Sequence, residues 1–214
     1  MMLDEAVDPL EQLELIYILQ RLGLSYHFED KISRILEAIY ITNDIDEMCN
    51  RGNLYASALK FRLLRQHGYR VPQEIFNSFK NQKGTFKACL TEDIKGLLCL
   101  YEASFLLIEG KSILEEARDF ATKQLEEYVE ENKDGNLFAV VSHALELPLH
   151  WRMLRLEARW FIDEYRRNED TNPILLELAE LDFNMITGSP PRRSKRRFKR
   201  LNCIFEFKGS EMEM

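Results

Sequence analysis

The chain contains no apolar run approaching the roughly 18 residues that a membrane-spanning helix needs, so membrane insertion is not expected. Its four cysteines, Cys49, Cys89, Cys99 and Cys203, form no CxxC pair and are too sparse for a disulfide framework. They read as reduced and structural. No two aspartates are adjacent anywhere, which removes the simplest way to present paired carboxylates to a divalent cation. Residues 1–8 hold three acids and no Lys or Arg, so they resemble neither a secretory signal nor a basic, Ser-rich transit peptide. On that reading the chain as it stands is expected to be cytoplasmic. No convincing strand and no strict internal repeat can be written from the sequence.

What is present is the composition of an ordinary globular protein, 45% hydrophobic and 30% charged over 214 residues, enough to build a substantial core. The net charge of −7 conceals a division. Residues 188–214 carry eight basic and three acidic side chains, leaving 21 basic against 33 acidic, a charge of −12, in the body.

Helix punctuation recurs through that body. Asp8-Pro9-Leu10-Glu11 gives a cap, a first-turn proline and an early acid, and predicts a helix ending near Gly23. A second helix is predicted over 26–40, followed by an acidic loop through residue 53. A third runs from Leu54 to His67 and stops at Gly68, and another starts at Pro72. From Glu92, the positions Ile94, Leu97, Leu98, Tyr101, Phe105 and Ile108 fall on one helical face that closes at Gly110. Ser112 to Glu115 reads as a capping box opening a long helix to Glu131, and a further helix ends before Pro148. A helix over 150–167 is predicted to turn Trp151, Leu154, Ala158, Phe161, Ile162 and Tyr165 inward. Asn172-Pro173 caps the last, with Leu175, Leu178, Ala179 and Phe183 as its apolar set. The fold class is therefore all-α, built of antiparallel helical hairpins.

Five segments carry a specific likeness: LQRLGLSYHFE (19–29), LYASALKFRLLRQHGYRVPQEIFNSF (54–79), LYEASFLLIEG (100–110), ALELPLHWRMLRLEARWFI (144–162) and NPILLELAELDFN (172–184). Together they resemble the amino-terminal helical domain of plant terpene synthases, in the monoterpene and isoprene-forming branch. The resemblance spans about residues 3–185 and implies that the hairpins form an α/α toroid. It also implies a domain over 1–187 and a divergent tail over 188–214, where the text changes to GSPP and RRSKRRFKR and the likeness stops. The family's reaction is metal-assisted loss of diphosphate from a prenyl diphosphate, with Mg2+ or Mn2+ held by a DDxxD helix and a second Asn/Asp, Ser/Thr, Glu set. Both sets belong to a carboxy-terminal domain, and neither pattern occurs here. Relatives are usually plastid proteins.

The chain is accordingly expected to hold no catalytic, cofactor-binding or metal-ligating residue and to be inactive alone. Three rival readings are weighed against that. A related branch protonates alkenes with a DxDD acid, but alignment puts Asn53, Leu54, Tyr55 and Ala56 at those positions. Asp44-Ile45-Asp46-Glu47 imitates the pattern only from a loop upstream, and reads as a solvated turn. His143, Glu146 and His150 offer zinc-compatible side chains, yet Pro148 interrupts them and HExxH spacing is absent. His27 and His67 read as packing or helix-end residues, His67 favouring a helix carboxy terminus when protonated. Arg152, Arg155, Arg159 and Arg166 read as an ion-paired face rather than a phosphate site, because Glu157, Asp163 and Glu164 intersperse them. Trp151 and Trp160 read as core or interhelix anchors.

The family's tandem arginines, followed by Trp, have no counterpart here, since the tail pair Arg192-Arg193 is followed by no Trp. Seven basic residues within 192–200 could attract a nucleic acid, but no nucleic-acid fold accompanies them, and an accidental basic tail is the preferred reading. The expected partner is a prenyl diphosphate for the full-length family. The alternative function is a noncatalytic module that associates with a full-length synthase, and the weakest rival is a glycosidase-like toroid with paired carboxylates.

Overall fold

A computed structural model of the chain describes residues 8–42, 52–107 and 113–188. Among these residues the fold is all-α. The α-helices are α1 (Pro9–Arg21), α2 (Glu29–Ile41), α3 (Leu54–Gln66), α4 (Ile94–Ser104), α5 (Ile113–Glu131), α6 (Asn136–Glu146), α7 (Leu154–Arg167) and α8 (Pro173–Thr187), with short 3-10 turns between some of them. The one β-type pairing among the described residues is an isolated antiparallel bridge from Lys80 to Phe86. No described helix is long and apolar enough to cross a membrane.

The chain divides into two compact units, one made of the residues up to Ile32 with those from Met153 on, the other of Ser33–Arg152. In the second unit α3 packs against α4, α4 against α5, and α5 against α6. Leu54 and every residue from Ala56 to Leu64 are buried, as are all residues of α4 from Gly96 to Ser104. These two helices are buried on all faces and form the centre of the unit. By contrast α5 buries only Leu114, Ala117, Ala121 and Leu125, a stripe at helical spacing that leaves its charged face outward.

In the other unit α1 packs on α7 and α7 on α8. Asp8 accepts the Leu10 amide at 3.1 Å, and Pro9 occupies the first turn as predicted. Gly23 ends α1 at φ +74°, a conformation that favours glycine, and an added Cβ there would stand 3.1 Å from that of Ala158. Asn172 accepts the amides of Ile174 and Leu175 and so starts α8, whose Leu175, Leu178 and Ala179 are buried as expected, while Phe183 is half-buried.

The structure corrects four expectations. The helix predicted from Tyr26 begins at Glu29, because residues Ser25–His27 form a 3-10 turn. The segment after Pro72 is also 3-10, Gln73–Phe79, whose three-residue period stacks Phe76 and Phe79 on one buried line, with Phe76 edge-on to Phe61. Helix α4 stops at Ser104, so Phe105 is its cap and not a member of a continuing face. The helix predicted over 150–167 is broken: Leu149–Trp151 is a 3-10 turn, Arg152 and Met153 are extended, and α7 starts only at Leu154. The helical phase assumed for Trp151 and Leu154 is therefore lost, and they are 67% and 80% exposed, whereas Ala158, Phe161, Ile162 and Tyr165 are buried as predicted.

Candidate functional site

Charge inside the two central helices of Ser33–Arg152 defines the first cluster. Arg62 of α3 and Glu102 of α4 are both buried and form an ion pair. Burying either alone would be strongly unfavourable, so each position requires the other helix alongside. His150 joins from the 3-10 turn after Pro148: its Nε2 stands 3.2 Å from the Glu102 carbonyl, and its Nδ1 3.5 Å from the Gln66 amide nitrogen. Burial first, and the Arg62 charge second, lower its pKa.

The second cluster lies in the other unit and centres on Asp182, itself 2% exposed. The Tyr26 hydroxyl donates to Oδ1, His27 Nε2 is 3.1 Å from the same oxygen, and Arg155 Nη1 donates to Oδ2 at 3.3 Å. Burial alone would raise the Asp182 pKa, but hydrogen bonds from His27 and Tyr26 and the nearby positive charge lower it on balance. Its contribution to stability is present above the ordinary carboxylate range and is lost as pH falls through the native value. Tyr26 is correspondingly pushed up, first by desolvation and then by the carboxylate it serves.

A third pair, Arg21 with Glu157 at 2.7 Å, is buried at both ends. The guanidinium carbon lies 4.7 Å from the Phe161 ring centroid and 5.9 Å from that of Trp160. Trp160 thus acts as the anchor the sequence suggested. Trp151 touches the Phe105 ring edge-on while its own surface is mostly exposed.

The proposed alternatives resolve residue by residue. Asn53 is the cap of α3, accepting the Ala56 amide at 3.0 Å; Leu54 and Ala56 are buried and apolar, and Tyr55 is half-buried. His143, Glu146 and His150 do not converge. His143 Nδ1 is 4.0 Å from Glu146 but 3.3 Å from Arg152, whose guanidinium also donates to the carbonyls of His143 and Leu147, while His150 faces α3 and α4. His67 caps α3, and partial desolvation lowers its pKa, so near neutrality it is the uncharged ring that sits there. Arg166 pairs with Asp163 and Glu180 at 2.8 Å, and Arg159 lies 3.7 Å from Asp163, as an ion-paired face requires. Arg155 departs from that pattern by reaching the buried Asp182. Asp44, Asp46, Glu47, Cys49, Cys203, Ser112 and the basic run 192–200 lie outside the described residues; Cys89 is exposed and Cys99 buried, and neither is in a disulfide.

An open cleft of about 840 Å³ lies at the carboxy-terminal ends of α3 and α4, bordered by Arg65, Tyr69, Val71, Pro72, Phe105 and Leu106. Arg65 donates to the carbonyls of Val71 and Leu106, and this ties the two helix ends together.

A model of the terpene synthase N-terminal domain matches residues 1–145. The chain belongs to the terpene synthase family. It is 68% identical over 189 residues to a chloroplastic myrcene synthase of Quercus ilex, covering 88% of this chain and 32% of that protein. The (-)-alpha-terpineol synthase of Vitis vinifera is 60% identical over 188 residues, with the same coverage. Isoprene synthase from grey poplar leaves (Populus x canescens), solved with three Mg2+ ions and dimethylallyl-S-thiolodiphosphate, superposes at a TM-score of 0.82 with 52% identity, over 86% of this chain and 35% of that one. This terpene synthase chain thus spans about a third of the length of the relatives it matches.

All the residues of the three buried clusters fall inside the five resembling segments. Sequence reasoning did not find the pairs, although a usable signal exists: a charge in a helix that is apolar all round must meet its counter-charge on a neighbour. The buried carboxylates Glu102, Glu157 and Asp182 do not fit a divalent-ion site. Each already faces an arginine, which neutralises the charge that Mg2+ would need, and among the described residues no three His, Cys, Asp or Glu side chains converge.

Proposed function

We propose that this chain is the helical scaffold of a terpene synthase whose full-length form removes diphosphate from geranyl or dimethylallyl diphosphate with Mg2+ or Mn2+ and rearranges the resulting carbocation, and that these residues alone do not perform the ionisation. The scaffold is taken as residues 1–187, with 188–214 a separate basic tail. The observation that carries the reading is the arginine against each of Glu102, Glu157 and Asp182: these core acids join helix to helix and are not free to hold metal. The names of relatives from Quercus ilex and Coffea arabica place those proteins in the chloroplast, which we take as the compartment of the parental enzyme. Purified protein incubated with each diphosphate and Mg2+ is expected to release no volatile hydrocarbon above blank. Sustained turnover abolished by chelator would overturn the proposal.

A second reading rests on the first turn of α7. Met153, Leu154 and Leu156 are 70%, 80% and 67% exposed, and Met153 supplies no side-chain cap. Such a cluster on a terpene synthase scaffold suits association with a full-length synthase. Co-elution with a full-length relative, lost in Leu154→Glu, is the outcome that reading requires.

A further inference from the structure

Helix α4 ends at Ser104, so the carbonyls of its last turn lack helical partners and must find others. Ser104 Oγ donates to the Tyr101 carbonyl at 2.6 Å, and the Leu106 amide to that of Ala103 at 3.1 Å. The Glu102 carbonyl receives His150 Nε2. This bond comes from the segment between Pro148 and Arg152, which makes two further attachments: Trp151 lies edge-on to Phe105 with centroids 5.6 Å apart, and Arg152 donates back to the carbonyls of His143 and Leu147 at the end of α6. The segment is a strap across the end of α4, and His150 is its central fastening.

The carbonyl at Nε2 requires an N–H there, whereas the Gln66 amide, 3.5 Å from Nδ1, can turn either its nitrogen or its oxygen to the ring, so the charge is set by burial and by the neighbouring charges. The charged groups facing it are Arg62 of α3 and Glu102 of α4, already joined in a buried pair. Arg152 of its own segment is engaged with α6 and His143. A helix carboxy terminus by itself would welcome a cation. Here burial and Arg62 prevail, and the pKa of His150 is lowered.

We infer that His150 is a pH-sensitive fastening: its neutral ring caps α4 and holds the 148–152 strap, and protonation releases both by setting a second buried cation beside Arg62. The native ring binds a proton more weakly than the unfolded one, so unfolding takes up a proton below about pH 6.5, the ordinary histidine value. The stabilisation is complete above that value and falls as pH drops through it, until the native ring also charges.

The test compares thermal unfolding of the wild-type protein and His150→Gln at about pH 8 and about pH 5.5. Glutamine offers a comparable N–H and cannot charge. Wild type is expected to lose on the order of a few degrees more on acidification than the variant does. His67→Gln serves as control, because burial lowers the pKa of His67 as well, and it should leave the His150-dependent difference intact. A local readout comes from Trp160→Phe, in which Trp151 is the remaining tryptophan: its emission should shift red below about pH 6.5, before global unfolding, and should not shift in the His150→Gln background. Should His150→Gln fail to fold, the histidine nitrogen spectrum of the wild type decides. An Nε2–H tautomer titrating below the free-histidine value supports the inference. A charged or Nδ1–H ring at neutral pH, or equal acid losses in wild type and variant, overturns it.

Discussion

At the residue scale, the chain is organised by charged side chains that a hydrophobic core would normally exclude. Arg62 and Glu102 lie inside helices buried on every face, and the buried Arg21 is flanked by aromatic rings. Burial of such pairs adds little net stability over an apolar equivalent, but removing one partner leaves an uncompensated charge. Arg62→Met is therefore expected to cost about 3–5 kcal/mol in denaturant unfolding, and Arg62→Met with Glu102→Leu to recover most of that loss. A double variant as unstable as the two single losses combined would show that the pair is not the unit of interaction.

At the element scale, several caps and breaks were legible because the residue type there has one local use. Asp8-Pro9, Gly68 and Asn172-Pro173 begin or end helices where the sequence says they do. Asn172→Ala should accordingly cost about 1 kcal/mol in chemical denaturation, with the loss confined to that cap. What failed was phase. Trp151 and Leu154 fit an inward stripe only if one helix runs through Arg152, and the extended backbone at Arg152 and Met153 resets the register. Phe105 and the residues after Pro72 failed similarly, since apolar periodicity does not distinguish an α-turn from a 3-10 turn over seven residues or fewer.

At the scale of the whole molecule, the all-α class and the family could be read from the sequence, because long motifs such as FRLLRQHGY carry a specific likeness. The pairing of buried charges could not, because Tyr26 and Asp182 are 156 residues apart and only the packed structure joins them. The five resembling segments hold those very charges, so the likeness and the ion pairs that fix helix to helix lie in the same stretches of the chain. On the proposed scaffold reading these three acids serve packing, since the arginine each faces offsets the negative charge a divalent cation would need. The most direct measurement is electron paramagnetic resonance of Mn2+ titrated into the protein with dimethylallyl-S-thiolodiphosphate, the analogue bound with three Mg2+ ions in the grey poplar enzyme. The account predicts the same Mn2+ signal for protein with analogue as for analogue alone, whereas a further stoichiometric loss at micromolar metal that requires both protein and analogue would contradict it.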